Sequence, residues 1–259
     1  FQLRRDEEQR MQAEGRLPPG QSLTLKFPVL HYGPVPAIDP AAWSLAVFGE
    51  VEREMRWTWD EFRQIPTAEV HTDIHCVTGW SKFDTVWEGP RLRDFIGLFG
   101  LKPAAKYVIA HAAHGFTTNM PLEDMLDDDV ILAWKYNGEY LAPEHGFPVR
   151  TLVPKRYFWK SAKWLLKLEF SPTDKTGFWE QDGDHNAGEL VAWHMRKAAD
   201  VGVVPAPTMP VAAAEPGCFN LDDGAIGLRP RVRHCLNRDR PAKFMIENCF
   251  HGDEASPSV

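Results

Sequence analysis

An α+β fold of mixed sheets with short helices is what this sequence predicts, and three observations predict it. Short apolar or β-branched runs recur between turn residues, helical signals are confined to brief segments with explicit stops, and no regular strand–helix–strand rhythm connects them. In chain order, residues 1–22 are charged and then rich in Pro and Gly, which predicts a flexible, solvated arm ahead of an extended segment. The prolines of Phe27-Pro-Val-Leu-His-Tyr-Gly-Pro-Val-Pro36 forbid helix and predict an ordered loop presenting His31 and Tyr32. Trp43 to Glu50 alternates as a strand does. Thr58 with Glu61 forms a capping box for a short helix that Pro66 stops. His71-Thr-Asp-Ile-His-Cys-Val-Thr-Gly-Trp80 reads as a strand carrying Cys76 to a turn at Thr78-Gly79.

Trp87-Glu-Gly-Pro90 then reads as a turn, and Arg91 to Phe99 as an amphipathic helix closed by Gly100. Tyr107 to Ala112 predicts a buried strand, and Gly115 to Asn119 a loop leading into a short helix at Pro121. Val130 to Tyr136 predicts a strand turned by Asn137-Gly138, a strong hairpin signal. Strands at Val149–Val153 and Trp164–Phe170 complete the ordered part. Beyond about residue 188 the character changes: only Trp193 of the ten tryptophans lies there, and Val201 to Gly217 is rich in Pro, Ala and Val. The division expected is therefore an arm over 1–22, one domain over 23–188, and a tail over 189–259 that matches nothing and reads as disordered or replaced.

A chain of 259 residues with a net charge of −7 can bury a sizeable core and argues against a general nucleic-acid partner. No apolar run is long enough to span a membrane. The four cysteines, Cys76, Cys218, Cys235 and Cys249, form neither a CxxC pair nor a disulfide framework. Arg4-Arg5 is followed by acidic residues where an export signal would carry an apolar core. A cytoplasmic location is expected, or a periplasmic one if a leader precedes Phe1.

Two stretches carry chemistry. A thiolate at a strand end, as Cys76 would be, serves as a soft metal ligand or a nucleophile, although a lone cysteine is more often a small buried hydrophobe. The second stretch gathers His145, Arg150, Lys155, Arg156, Lys160 and Lys163 around Ser161 and Ala162, framed by Trp159 and Trp164. Alternation explains Lys155 and Arg156 as a solvated face. Lys160-Ser-Ala-Lys163 between tryptophans suits an anion, because phosphate takes several charge-assisted donors at once. One soft sulfur and one phosphate site on one domain is what a phosphorylated, metal-carrying cofactor requires. A zinc site using His71, His75 and Cys76, with His111 or His114, competes: His71 and His75 share a face of a regular strand while Cys76 falls on the other.

Asp73-Ile-His-Cys-Val-Thr-Gly-Trp-Ser81, Trp87-Glu-Gly-Pro90, Thr117-Thr-Asn-Met-Pro-Leu122, Glu144-His-Gly-Phe-Pro-Val-Arg150 and Tyr157-Phe-Trp-Lys-Ser-Ala-Lys-Trp164 together resemble the sulfite-oxidase-type molybdopterin oxidoreductases, above all their small haem-free bacterial members. The likeness runs colinearly over about residues 16–188. It implies the molybdopterin-binding fold of that family and a molybdenum–molybdopterin cofactor with Cys76 as the protein thiolate on the metal. It implies that His145 and Arg150 hold the pterin and its phosphate, that Ser161, Ala162 and Lys163 close over the phosphate beside Lys160, and that His31 and Tyr32 line the pterin. The implied activity is two-electron oxygen-atom transfer on a small oxyanion or sulfoxide, with a separate electron-transfer partner, haem or other. Sulfite oxidases proper carry arginines shortly after the cysteine, where this chain has Gly79 and Lys82, and the Gly-Tyr-His-Asn type motif is altered at Asp184. A non-catalytic cofactor-binding module with an altered C-terminus is the alternative.

Overall fold

The computed structural model describes residues 2–31 and 33–181; Phe1, Tyr32 and everything from residue 182 on, including the predicted tail, lie outside the described residues. The chain starts with helix α1, Gln2–Ala13. The expected solvated arm is instead docked, because Met11 and Leu17 bury their side chains and Arg16 forks onto Asp73 at 2.7 and 2.9 Å. A two-residue strand β1, Ser22–Leu23, follows. Strands β2, Ser44–Gly49, and β3, Met55–Thr58, form an antiparallel pair. The capping box holds: the Thr58 hydroxyl accepts from the Glu61 N–H, and the Thr58 N–H donates to the Glu61 carboxylate, starting α2, Trp59–Phe62.

Strand β4, Ala68–His75, leads through the Cys76 turn to β5, Trp80–Gly89. β5 absorbs Trp87-Glu-Gly, which the sequence reads as a turn. Gly89 is needed there because a Cβ would lie 2.1 Å from the Leu132 carbonyl oxygen. Helix α3, Leu92–Ile96, strand β6, Tyr107–Ala112, and strand β7, Thr117–Pro121, come next. The predicted loop at Thr117–Asn119 is thus extended, paired antiparallel to β6, and helix α4, Leu122–Met125, begins only after Pro121. Strands β8, Ile131–Ala133, and β9, Lys135–Tyr136, replace the single strand expected. Asn137 and Gly138, both at positive φ, turn β9 into β10, Glu139–Tyr140, as the hairpin signal requires. Strands β11, Arg150–Leu152, and β12, Leu165–Ser171, and helix α5, Phe178–Gln181, finish the described chain.

Among the described residues, two five-stranded sheets and one two-stranded ribbon result. One sheet has the order β3-β2-β12-β6-β7, with β12 parallel to β2 and antiparallel to β6. Its apolar face and helices α2 and α3 enclose the larger core, in which Trp57, Phe62, Phe95 and Phe99 pack with Leu45, Leu165 and Phe170. In the other sheet, long β5 pairs with β4 along one edge and with β1 and β9 along the other. A smaller cluster of Val70, Ile74, Cys76, Trp80, Trp87 and Leu152 lies against it, with β11 paired to β8. Each large side chain so buried contributes about 1.5–3 kcal/mol, and Trp87 and Phe62 are among the largest fully buried. The mixed sheets and short helices bear out the α+β prediction.

A buried thiol beside an unneutralised cation cluster

Cys76 sits at the end of β4, 6 % exposed. Its N–H donates to the Trp80 carbonyl at 2.9 Å and its carbonyl accepts from the Gly79 N–H at 3.0 Å, with Gly79 at φ 90°. This turn aims the backbone of Val77 and Thr78 at the sulfur. Burial pushes the thiol up, while the Thr78 hydroxyl, the Thr78 N–H and the Val77 N–H pull it down. Burial outweighs them and leaves the thiol above its ordinary value, so the three donors offset part of the cost of the thiolate a soft metal would need.

The cations gather around Gly146. At φ 111° and with Cβ distances of 3.1 Å to Lys163 and 3.2 Å to Arg150, only glycine lets those two side chains close on this turn. Arg150 is 2 % exposed. Its guanidinium donates to the main-chain carbonyls of His145 at 2.9 Å and Ser161 at 2.8 Å, and lies 4.1 Å above the Phe158 ring. Lys163 donates to the carbonyls of Leu30 at 2.8 Å and Glu144 at 2.9 Å. His145 stacks on Phe27 with ring centroids 3.8 Å apart. No carboxylate bonds to any of the three among the described residues. Burial, then mutual repulsion, pushes Lys163 down to about 7 and His145 down to about 4, and burial alone pushes Arg150 down.

The remaining predicted residues fall in two groups. His31 lies beside this cluster: its Nδ1–H donates to the Gly33 carbonyl at 2.7 Å, its ring edge meets Trp164, and Lys163 depresses its pKa after burial does. Ser161 and Ala162 are buried and act as scaffold. Ser161 Oγ accepts from the Val153 N–H at 3.0 Å, and the Ala162 carbonyl accepts from the Thr151 N–H at 3.0 Å. Lys160 does something else. Its ammonium is paired with Glu180 of α5 and donates to Asn119 Oδ1 at 2.9 Å, so its charge is already compensated. Lys155 and Arg156 are anchored on Asp124, Arg156 almost fully buried, rather than lying on a solvated face. Tyr32 lies outside the described residues.

Phe158 and Trp87 connect the two halves. Arg150 lies over both rings, and Phe158 meets the edge of Trp80, which packs in the cluster containing Cys76. Trp80 Nε1 and Thr151 Oγ1 are buried without a partner among the described residues. A buried sulfur with three donors, the cations Arg150 and Lys163 with no carboxylate bonded to them among the described residues, the neutral ring of His145, and orphaned donors nearby fit a group that carries a soft metal at one end and a phosphate at the other. Phe27, Gly146 and Phe158 were given no role from the sequence, and Thr78 only that of a turn residue; Thr78, Gly146 and Phe158 all lie inside the motifs that carry the resemblance, whereas nothing local marks Phe27. The zinc arrangement fails on a bulge. The β4–β5 register shifts between Thr72 and Ile74, leaving His71 exposed on Glu69 while His75 is buried against Ser81.

A family profile described as an oxidoreductase molybdopterin-binding domain matches residues 32–179. An uncharacterized oxidoreductase, YuiH, of Bacillus subtilis is 48 % identical over 176 residues, 68 % of this chain and 89 % of that protein. A putative protein-methionine-sulfoxide reductase subunit, YedZ1, of Azospira oryzae is 30 % identical over 168 residues, and the match spans 64 % of each chain. The solved sulfane dehydrogenase SoxCD of Paracoccus pantotrophus shares the fold with a TM-score of 0.53 at 21 % identity, covering 61 % of this chain and 47 % of that one.

Proposed function

This chain belongs to the oxidoreductase molybdopterin-binding domain family, of the sulfite-oxidase type, and we propose that within it the protein transfers an oxygen atom to or from a small neutral sulfoxide–thioether pair. It is an enzyme whose cofactor is molybdenum–molybdopterin. When bound, that group supplies two-electron oxygen-atom exchange at the metal. In the reducing direction a sulfoxide, two electrons and two protons give a thioether and water.

In this reading Cys76 is the thiolate on the metal, with Thr78 and the Val77 and Thr78 N–H groups sustaining its charge. Arg150, Lys163 and His145 bind the phosphate and pterin, and His31 offers its Nε2 lone pair because Nδ1–H is committed to Gly33. Ser161 and Ala162 hold Arg150 and β11 in place through their main chain.

One observation carries the substrate class. Lys82, the cation closest in sequence after the cysteine, has its ammonium on the Leu25 carbonyl at 2.6 Å. The residue after the cysteine, Val77, is 40 % exposed. The exposed Val77 next to the cysteine, with the Lys82 ammonium drawn onto the arm at Leu25, suits a neutral sulfoxide better than a sulfite dianion, whose desolvation calls for a dedicated charge at the turn. Electrons would pass to or from a separate partner, as the relative named as a reductase subunit suggests. No helix among the described residues is long and apolar enough to cross a membrane.

The test is elemental and pterin analysis of the purified chain, followed by turnover with a dialkyl sulfoxide and a reduced viologen, and with sulfite and ferricyanide. Molybdenum near one equivalent with viologen oxidation supports the reading. Sulfite turnover without sulfoxide turnover overturns the substrate class, and loaded protein inert in both assays supports the binding-module alternative.

A further inference from the structure

The arm preceding the domain reaches the cysteine turn through one side chain. Gln21 Nε2 donates to the Cys76 carbonyl at 2.9 Å, and Gln21 Oε1 accepts from Ser81 Oγ at 2.9 Å. Ser81 Oγ lies 2.8 Å from His75 Nδ1. A carbonyl can only accept, so the amide must turn its nitrogen to Cys76 and its oxygen to Ser81. The Ser81 proton then goes to Gln21, and the Ser81 oxygen takes the Nδ1–H of His75. One directed chain therefore runs from His75 through Ser81 and Gln21 to the carbonyl of the cysteine, with residues from both strands of the hairpin.

The rest of the arm fixes the origin of that contact. Ser22 N–H donates to the Gly79 carbonyl at 2.8 Å and Thr24 N–H to the Ser81 carbonyl at 2.9 Å. Leu23 N–H donates to Glu8 of α1 at 2.8 Å, and Arg16 grips Asp73 and Asp84 from both strands. With Met11 and Leu17 buried, Gln21 is delivered from a docked element rather than a free tail.

We propose that Gln21 is a positioning residue for the reaction, holding the Cys76 peptide so that the sulfur keeps one orientation toward the metal. This rests on reading Cys76 as the metal thiolate. Without the amide, the Cys76 carbonyl keeps the Gly79 N–H alone and the turn can rotate, which changes sulfur orientation while leaving the cation cluster untouched.

The experiment compares full-length wild type, Gln21→Leu and Gln21→Glu. Glu keeps an acceptor for Ser81 but, ionised, cannot donate to the cysteine carbonyl. The expected result is a roughly tenfold fall in kcat for both variants, in line with the loss of a half-buried hydrogen bond. KM should stay within about twofold while molybdenum and pterin contents are unchanged, because the cations are intact. The Mo(V) electron paramagnetic resonance signal should shift in both. Wild-type kcat and spectrum in either variant overturn the proposal, as does a loss of kcat that only tracks loss of cofactor. If the wild type itself holds no molybdenum, the functional reading fails independently. The positioning claim is then read from the alkylation rate of Cys76 in the cofactor-free chains: a change of several-fold in both variants upholds it, and equal rates overturn it.

Discussion

The Thr78 hydroxyl donates to the Cys76 sulfur at 3.2 Å, two residues further along the same turn. A donor at that position stabilises the thiolate and not the thiol, so its removal must raise the thiol's pKa. A hydrogen bond to a charged group contributes about 1.5–3 kcal/mol, which is on the order of one to two pKa units. Thr78→Val should therefore slow iodoacetamide alkylation of Cys76 in cofactor-free protein about tenfold or more at a fixed pH below the titration. Thr78→Ser keeps the hydroxyl and should stay near wild type. A Val variant that alkylates as fast as wild type would show that the sulfur is not governed by this contact.

His145 and Lys163 are pushed down to about 4 and about 7, so the cofactor-free protein binds fewer protons than its unfolded chain over pH 4–6.5 and over pH 7–10.5. Stability must then rise with pH across both windows. Thermal melts of the cofactor-free chain should climb through each. Lys163→Met should flatten the upper window and only narrow the lower one, because burial and Arg150 still depress His145. Millimolar pyrophosphate, supplying the missing anion, should raise the melting temperature most below pH 7. A melting temperature that falls with pH in either window would contradict the cluster's electrostatics.

Much of this was legible in the sequence where local chemistry decides. Thr58 and Glu61 can satisfy each other whatever surrounds them, and Asn137-Gly138 supplies its own positive φ angles, so those elements appear where expected. What escaped depends on distant partners. Helix α1 offers few apolar residues, and its docking is secured by Arg16 on Asp73, 57 residues away. Residues 117–121 become a strand only because β6 lies beside them. Within the site, cationic character identified Arg150, Lys163 and Lys160 together. Which of them is left without an anion is decided by Glu180, whose approach to Lys160 no spacing announces.

Gly89 shows how a turn signal can conceal a packing requirement. Its Cα faces the backbone of Leu132 and Ala133, where an added Cβ would lie within 2.1–2.9 Å of three main-chain atoms. Backbone cannot step aside as a side chain can. Gly89→Ala should therefore separate β5 from β8 and cost about 3 kcal/mol or more, towards the upper end of point-mutation effects. Denaturant titration checks this, and a loss under about 1 kcal/mol would mean that the strands yield more easily than their packing indicates.

Cys76 and Arg150 divide the site into a metal end and a phosphate end, and that division is separable by mutation. Cys76→Ser replaces a soft ligand with a hydroxyl that stays protonated near neutrality, so turnover should fall below detection. Arg150, Lys163 and His145 keep their carbonyl and ring partners in that variant, so most of the pterin should remain, measured as released oxidised pterin fluorescence. Arg150→Met should behave in the opposite way. It strips donors from the buried carbonyls of His145 and Ser161 and removes a cation from the anion site, so pterin retention should drop at least about tenfold while the Cys76 turn survives. Arg150→Lys restores charge but not the fork that reaches both carbonyls, and should recover only part of the loss. If a well-folded Cys76→Ser protein lost its pterin as completely as Arg150→Met, the sulfur would be the principal anchor of the cofactor, and the cation cluster would need another occupant.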